Sequence, residues 1–367
     1  MRCTVEVLCP LLVVAACASG RGGAEPAAPR VQSRTRAPAA DPSPTGEAPD
    51  DPRSEGPEAA PQPADPPPLQ AVDPMTFDGA HSTSVGDPND GTLQGGVPLP
   101  EASPGLRSNP RRPNADGFYG TVEMVQALVR AAAVVAAEHP DSEVTVNDLG
   151  FESGGPIPHH ASHQSGRDVD VLFYLLDDEG RPRQGKGVPI DPRGVGWDFG
   201  DLEDASDDVR VRIDIPRTWR FLQALVEDPE AHLQRVFVVE HVRTMLMEHA
   251  ERTRAPATAR RLIGDATCQP GSPHDDHLHF RFFCTAEDIS AGCEDTAPMY
   301  PWRRTELRAA GVTPVIARYV RPASRPNTTS PAEARAAAGP MHAAVRAFLD
   351  EREQWIRRPR PGRPYCR

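Results

Sequence analysis

The stretch Pro158-His159-His160-Ala161-Ser162-His163-Gln164-Ser165-Gly166-Arg167-Asp168-Val169-Asp170-Val171-Leu172 changes character halfway along. Up to Gly166 it is polar and rich in histidine. From Asp168 it alternates, so that Val169, Val171 and Phe173 share one face of a strand, and Asp168, Asp170 and Leu172 the other. Gly166 permits a tight turn that brings His163 back alongside Asp170. A second cluster follows later in the chain, Pro273-His274-Asp275-Asp276-His277-Leu278-His279-Phe280. Here His277, His279 and Arg281 fall on one strand face, with Leu278, Phe280 and Phe282 on the other. Two histidines and a carboxylate suffice to hold a catalytic zinc ion and leave a position open for water. The pattern predicts a zinc hydrolase.

The surrounding chain supplies the frame of an α+β fold, expected as a small antiparallel sheet carrying the zinc site on one face and flanked by helices. Residues 121–138 place Val122, Val125, Val129, Ala132, Val135 and Ala136 at helical spacing. His139-Pro140 ends that helix, because proline disfavours helical geometry in the residue before it. Residues 143–149 alternate as a strand, and 150–158, with Gly154-Gly155, form the loop that delivers the first cluster. Residues 218–227 read as a short amphipathic helix and 235–239 as a buried strand. Residues 239–252 read as a helix whose Glu240-His241 and Glu248-His249 lie on a solvated face, since no His-Glu-x-x-His occurs there. The polar stretch 177–214 reads as one long loop, a candidate substrate wall or lid. A last helix is expected over 341–357.

Composition divides the 367 residues further. The 42 prolines exceed ordinary usage, so part of the chain is not expected to build a core. A net charge of −12 argues against a nucleic-acid partner, which calls for a basic face. Arg2 precedes a short apolar run that ends in Val14-Ala15-Ala16-Cys17, the form of an export signal. A cysteine after Val-Ala-Ala resembles a bacterial lipobox, which would place a lipid anchor at Cys17 and the protein in the periplasm or cell envelope. Residues 1–16 are therefore expected as a lipoprotein signal peptide. Residues 17–96, rich in Pro, Ala, Asp and Glu, are expected as a disordered tether. Residues 97–325 are left as the catalytic domain, with 326–367 as a C-terminal extension.

The segment Ser162-His163-Gln164-Ser165-Gly166-Arg167-Asp168-Val169-Asp170, taken with His274-Asp275-Asp276-His277-Leu278-His279, resembles the penicillin-insensitive murein endopeptidases. These belong to the wider group of lysostaphin-like and D-Ala-D-Ala metallopeptidases. The resemblance runs from about Leu106 to Cys293. It implies His163, Asp170 and His279 as zinc ligands, His160, His274 and His277 as further site histidines, and peptidoglycan peptide stems as substrate. An imidazole that is not a ligand can take the proton of the attacking water and pass it to the leaving amine. His277, which alternates with His279, is the candidate for that role. His160 and His274 would steady the oxyanion or orient the substrate. Asp168, Asp275 and Asp276 are candidates for fixing imidazole tautomers.

Beyond Cys3, Cys9 and Cys17, four cysteines remain, an even number in a chain expected to be exported. Cys284 and Cys293 lie close to a disulfide position of the family, and pairing them leaves Cys268 with Cys366. Four thiolates on a structural zinc would be the alternative, but no Cys-x-x-Cys pair is present. Two other functions stay open at this point. One is a catalytically silent peptidoglycan-binding lipoprotein, and the other a D,D-carboxypeptidase of the same metallopeptidase group.

Overall fold

The computed structural model describes residues 80–318, 329–356 and 366. The expected signal peptide, Cys17 and the tether up to residue 79 lie outside them. Among the described residues the fold is α+β, with eight α-helices and a seven-stranded sheet as its centre. No helix among them is long and apolar enough to cross a membrane.

The strands of that sheet run in the order Thr267–Cys268, Leu233–Phe237, His277–Phe282, Asp168–Leu172, Val144–Val146, Leu106–Ser108 and Ala102–Ser103. The four central strands pair antiparallel, as expected. The sheet is nevertheless larger than expected, and it is mixed. Thr267–Cys268 joins parallel to Leu233–Phe237, and Leu106–Ser108 parallel to Val144–Val146. These added strands are two or three residues long, too short to show an alternation in sequence.

Register fixes the site. In the antiparallel ladder His279 stands opposite Asp170, Arg281 opposite Asp168 and His277 opposite Leu172. The other face of the same two strands carries Val169, Val171, Leu278, Phe280 and Phe282, all buried in the main core. Phe280 meets Phe221 of the helix Ile215–Glu227 edge to face, ring centroids 6.0 Å apart. A fully buried aromatic of this kind contributes about 1.5–3 kcal/mol by removal from water. Beside it packs the helix Val122–Glu138, whose N-cap Thr121 accepts a hydrogen bond from the Met124 amide.

Three expectations need correcting. The folded part begins before residue 97: Thr83–Asp87 and Asp90–Gln94 form a hairpin that packs on the approach loop to the first histidines. Its strands bury only Ser84 and Leu93, so composition alone made the segment look like tether. Residues 177–214 are not one loop. Pro182–Arg183, Val195–Asp198 and Val209–Ile213 join Leu175–Leu176 in a four-stranded antiparallel sheet. Finally, Glu240 and His241 are buried rather than solvated. His241 Nε2 donates to the Ile190 carbonyl at 2.6 Å, and Thr244 Oγ1 donates to Glu240 Oε1 at 3.2 Å.

Both disulfides are present, Cys268–Cys366 and Cys284–Cys293. The second sits just past the histidine strand. The first ties the C-terminal extension to an edge strand of the main sheet.

Candidate metal centre

The first cluster is delivered by a loop rather than by the strand itself. His163 has φ +70° and Gly166 φ +74°. Leu93 of the N-terminal hairpin packs where a Cβ on Gly166 would have to sit, 2.7 Å away, so only glycine fits the turn. Hairpin backbone pins the same loop, with Gln164 N donating to the Pro88 carbonyl at 3.1 Å and Gly155 N to the Gly91 carbonyl at 3.2 Å. Non-glycine residues seldom adopt positive φ. Among the described residues five do, and His159, His163 and His274 are three of them. Such strain concentrates where surrounding structure imposes a functional geometry.

All six predicted site residues come together. Asp170 Oδ1 lies 3.4 Å from His163 Nε2, 3.3 Å from His277 Nε2 and 3.2 Å from His279 Nδ1. His160 Nδ1 is 3.6 Å from the other carboxylate oxygen. The His274 ring stands 4.9 Å from that of His277 and 5.3 Å from that of His279. Two trios have ligand atoms close enough for one ion: His160, His163 and Asp170, and His274, His277 and His279. The expected ligand set takes two members from the first trio and one from the second, around the shared oxygen of Asp170.

Hydrogen-bond partners fix the tautomers. His163 Nδ1 contacts the Leu149 carbonyl at 2.5 Å, and a carbonyl only accepts, so the proton is on Nδ1. That leaves a lone pair on Nε2 facing the Asp170 carboxylate. His163 Nε2, Asp170 Oδ1 and His279 Nε2 are buried atoms without a hydrogen-bond partner. Buried polar atoms of this kind call for an explanation. The lone pairs of His163 Nε2 and Asp170 Oδ1, 3.4 Å apart, repel one another unless a cation sits between them, so the donor set fits a metal ion.

Asp168 steadies three neighbours at once. It takes two hydrogen bonds from the Arg281 guanidinium at 2.7 and 3.0 Å and one from the His163 amide at 3.2 Å, with His279 Nε2 3.4 Å away. Burial would raise its carboxyl, but Arg281 and His279 outweigh burial and hold it well below the usual range. Asp170 behaves alike: burial pushes it up, and His277 and His163 bring it well below. His277 moves the other way. Burial disfavours its charge, but Asp170 and Asp276 raise its pKa well above the ordinary value, with Asp276 Oδ1 2.7 Å from Nδ1. His274 is kept neutral by burial and by the neighbouring His277 and His279.

Two expectations change here. Asp275 does not hold an imidazole tautomer; its carboxylate is taken by both nitrogens of an Arg352 fork, at 2.7 and 2.8 Å. His274 Nδ1 faces the Ser272 carbonyl at 2.8 Å, so the neutral ring offers a lone pair on Nε2 rather than a donor. Sequence reasoning also missed Asp148. Fully buried, it binds His160 Nε2 at 2.9 Å and Asn114 Nδ2 at 2.7 Å. Its one sequence signal is an Asn-Asp pair placed directly after an apolar strand.

Comparison with known proteins agrees with this geometry. The profile of the penicillin-insensitive murein endopeptidase family matches residues 84–306, which include both clusters. A penicillin-insensitive murein endopeptidase of Klebsiella pneumoniae is 28% identical over 232 residues, 61% of this chain and 73% of that protein. One from Haemophilus influenzae is 24% identical over 235 residues, 62% and 71% of the two chains. One from Yersinia pestis is 26% identical over 275 residues, 73% and 85%. With more than half of its length matched, the chain belongs to the penicillin-insensitive murein endopeptidase family.

Proposed function

We propose that this chain is a zinc-dependent metallopeptidase that hydrolyses peptide cross-links of murein, in the manner of a D,D-endopeptidase. The observation that carries the reading is the convergence of His163, His277 and His279 nitrogens on one buried oxygen of Asp170. His163, Asp170 and His279 would hold the ion. Zinc bound there supplies a Lewis acid for the scissile carbonyl and lowers the pKa of a water toward about 7.

The remaining side chains divide the proton work. His277 gives Nδ1–H to Asp276, which leaves Nε2 directed into the site. With Asp170 committed to a cation, its pull on the His277 proton weakens and that of Asp276 at Nδ1 remains. His277 takes the proton of the attacking water and returns it to the leaving amine. His274, a neutral acceptor on Nε2, orients the substrate by accepting a peptide N–H. His160, braced by Asp148, lines the opposite side.

Digestion of purified sacculi by the full chain, with products identified by mass, tests the reading. Cross-linked dimers should fall to monomers, chelator should stop the reaction, and added zinc should restore it. Intact dimers in the presence of zinc-loaded protein would overturn it. Release of a terminal D-alanine without loss of dimers would establish the carboxypeptidase alternative instead. The same reading includes export and lipid attachment at Cys17, on the motif Val14-Ala15-Ala16-Cys17. Incorporation of labelled fatty acid should disappear in Cys17→Ser.

A further inference from the structure

The residues after 306 lie outside the stretch matched by the family profile, yet they return to the site at several points. Thr329 Oγ1 is 3.2 Å from His159 Nδ1, beside the first cluster. His342 reaches the four-stranded sheet region, its amide donating to the Leu202 carbonyl at 2.7 Å and its Nε2 3.3 Å from Asp208 Oδ1. The helix Ala343–Ile356 sets Phe348 against Phe199 and against its own Trp355, ring centroids 5.5 Å apart in both pairs. Arg352, buried on the same helix, makes the fork to Asp275, and Trp355 Nε1 donates to Asp275 Oδ2 at 3.3 Å. Beyond it Cys366 is bonded to Cys268, and its amide donates to the Gln269 carbonyl at 2.9 Å.

Asp275 is therefore the point where the extension grips the site. It sits between His274 and Asp276, the residue that holds His277. Its backbone is held as well: Ile190 N donates to the Asp275 carbonyl at 2.7 Å, and Val239 N to that of His274 at 3.1 Å. His274 has φ +50°, a conformation that the turn adopts only because its surroundings impose it. A planar two-point ion pair fixes orientation as well as distance.

We infer that the C-terminal extension is a positioning strap, in which Arg352 fixes the Asp275 turn and thereby the placement of His274 and His277, while the Cys268–Cys366 bridge attaches the extension a second time, at the edge strand. Arg352 touches no reacting atom, so it is a positioning residue and not a catalytic one. The inference rests on the peptidase reading for its kinetic readout only.

The test compares the full wild-type chain with Arg352→Met and Arg352→Lys. It measures zinc affinity by chelator competition, kcat and KM on a soluble cross-linked muropeptide, and histidine ring signals by ¹H–¹⁵N NMR. Arg352→Met should lower kcat on the order of 10²-fold, as misplacement by about 1 Å does, with KM and zinc affinity within about two-fold of wild type. Arg352→Lys, which keeps the charge without the fork, should recover part of the loss. The ring signals of His274 and His277 should shift while those of His163 and His279 stay. Should Arg352→Met not fold, Trp355→Phe removes a single donor from Asp275 and should give a smaller loss confined to kcat. An unchanged kcat, or a parallel fall of kcat, zinc affinity and thermal stability, overturns the strap. If wild type itself holds zinc but cuts no muropeptide, the peptidase reading fails, and the NMR comparison alone decides the strap.

Discussion

Two histidines two residues apart on one strand face have different surroundings, and the proposed function gives them different duties. His279 stands opposite Asp170 in the ladder, and its Nδ1 is 3.2 Å from Asp170 Oδ1. His277 stands opposite Leu172 and is held by its neighbour Asp276. His279→Ala should therefore remove a ligand, so that zinc content and activity fall together. His277→Ala should keep three ligands and its zinc while turnover falls by about 10²–10⁴-fold, the usual contribution of a positioned proton carrier. Metal analysis beside a muropeptide assay separates the two. Zinc lost from His277→Ala but kept by His279→Ala would exchange their duties. These histidines were legible in the sequence because a strand's alternation is rigid: once Phe280 is placed in the core, His279 must face the other way. Asp148 and Arg352 were not legible. Nothing local to either residue announces a partner 12 or 77 positions away.

At the scale of elements, the hairpin Thr83–Asp87 with Asp90–Gln94 shows what composition conceals. The turn residues Pro88-Asn89-Asp90-Gly91 are a fair hairpin signal, but the strands between which they lie bury one residue each. Their value is in what they hold. Leu93 N donates to the Ser153 carbonyl at 3.0 Å, Arg167 Nε donates to Ser84 Oγ at 2.9 Å, and Ser84 N donates to Asp288 Oδ1 at 3.0 Å. Reading these residues as tether implies that a chain starting at 97 keeps its zinc and its activity. The structure predicts otherwise. A chain starting at residue 80 should unfold like wild type, whereas one starting at 97 should lose about 3 kcal/mol or more, from Leu93 burial and the orphaned loop donors. It should also bind zinc more weakly, since the loop bearing His163 is released. Equal urea midpoints for the two chains would show the hairpin to be dispensable.

For the molecule as a whole, the extension joins parts that the sheet alone does not: the four-stranded sheet, the turn before the histidine strand and an edge strand of the main sheet. Its long-range pairing was legible for the cysteines only. The buried ion pair between Arg352 and Asp275 gives this assembly a defined response to acid. Burial alone would raise the Asp275 carboxyl, but Arg352 outweighs it and lowers the folded-state pKa below the ordinary value. A depressed carboxyl binds its proton less readily in the folded chain than in the unfolded one. Its contribution to stability is then fully present above the unfolded value, about 3.9 for aspartate, and is lost as pH falls through the lower folded value. Asp275→Asn should therefore be less stable than wild type by a constant margin from pH 5 to 8, because Arg352 is left buried without its counter-charge, a loss of about 3–5 kcal/mol. Below pH ~4 the margin should shrink as wild-type Asp275 itself becomes neutral. Urea unfolding of both proteins across this range measures the margin directly. A margin that closes already near pH 6, or that stays unchanged down to pH 2, would mean that another group governs the attachment of the strap.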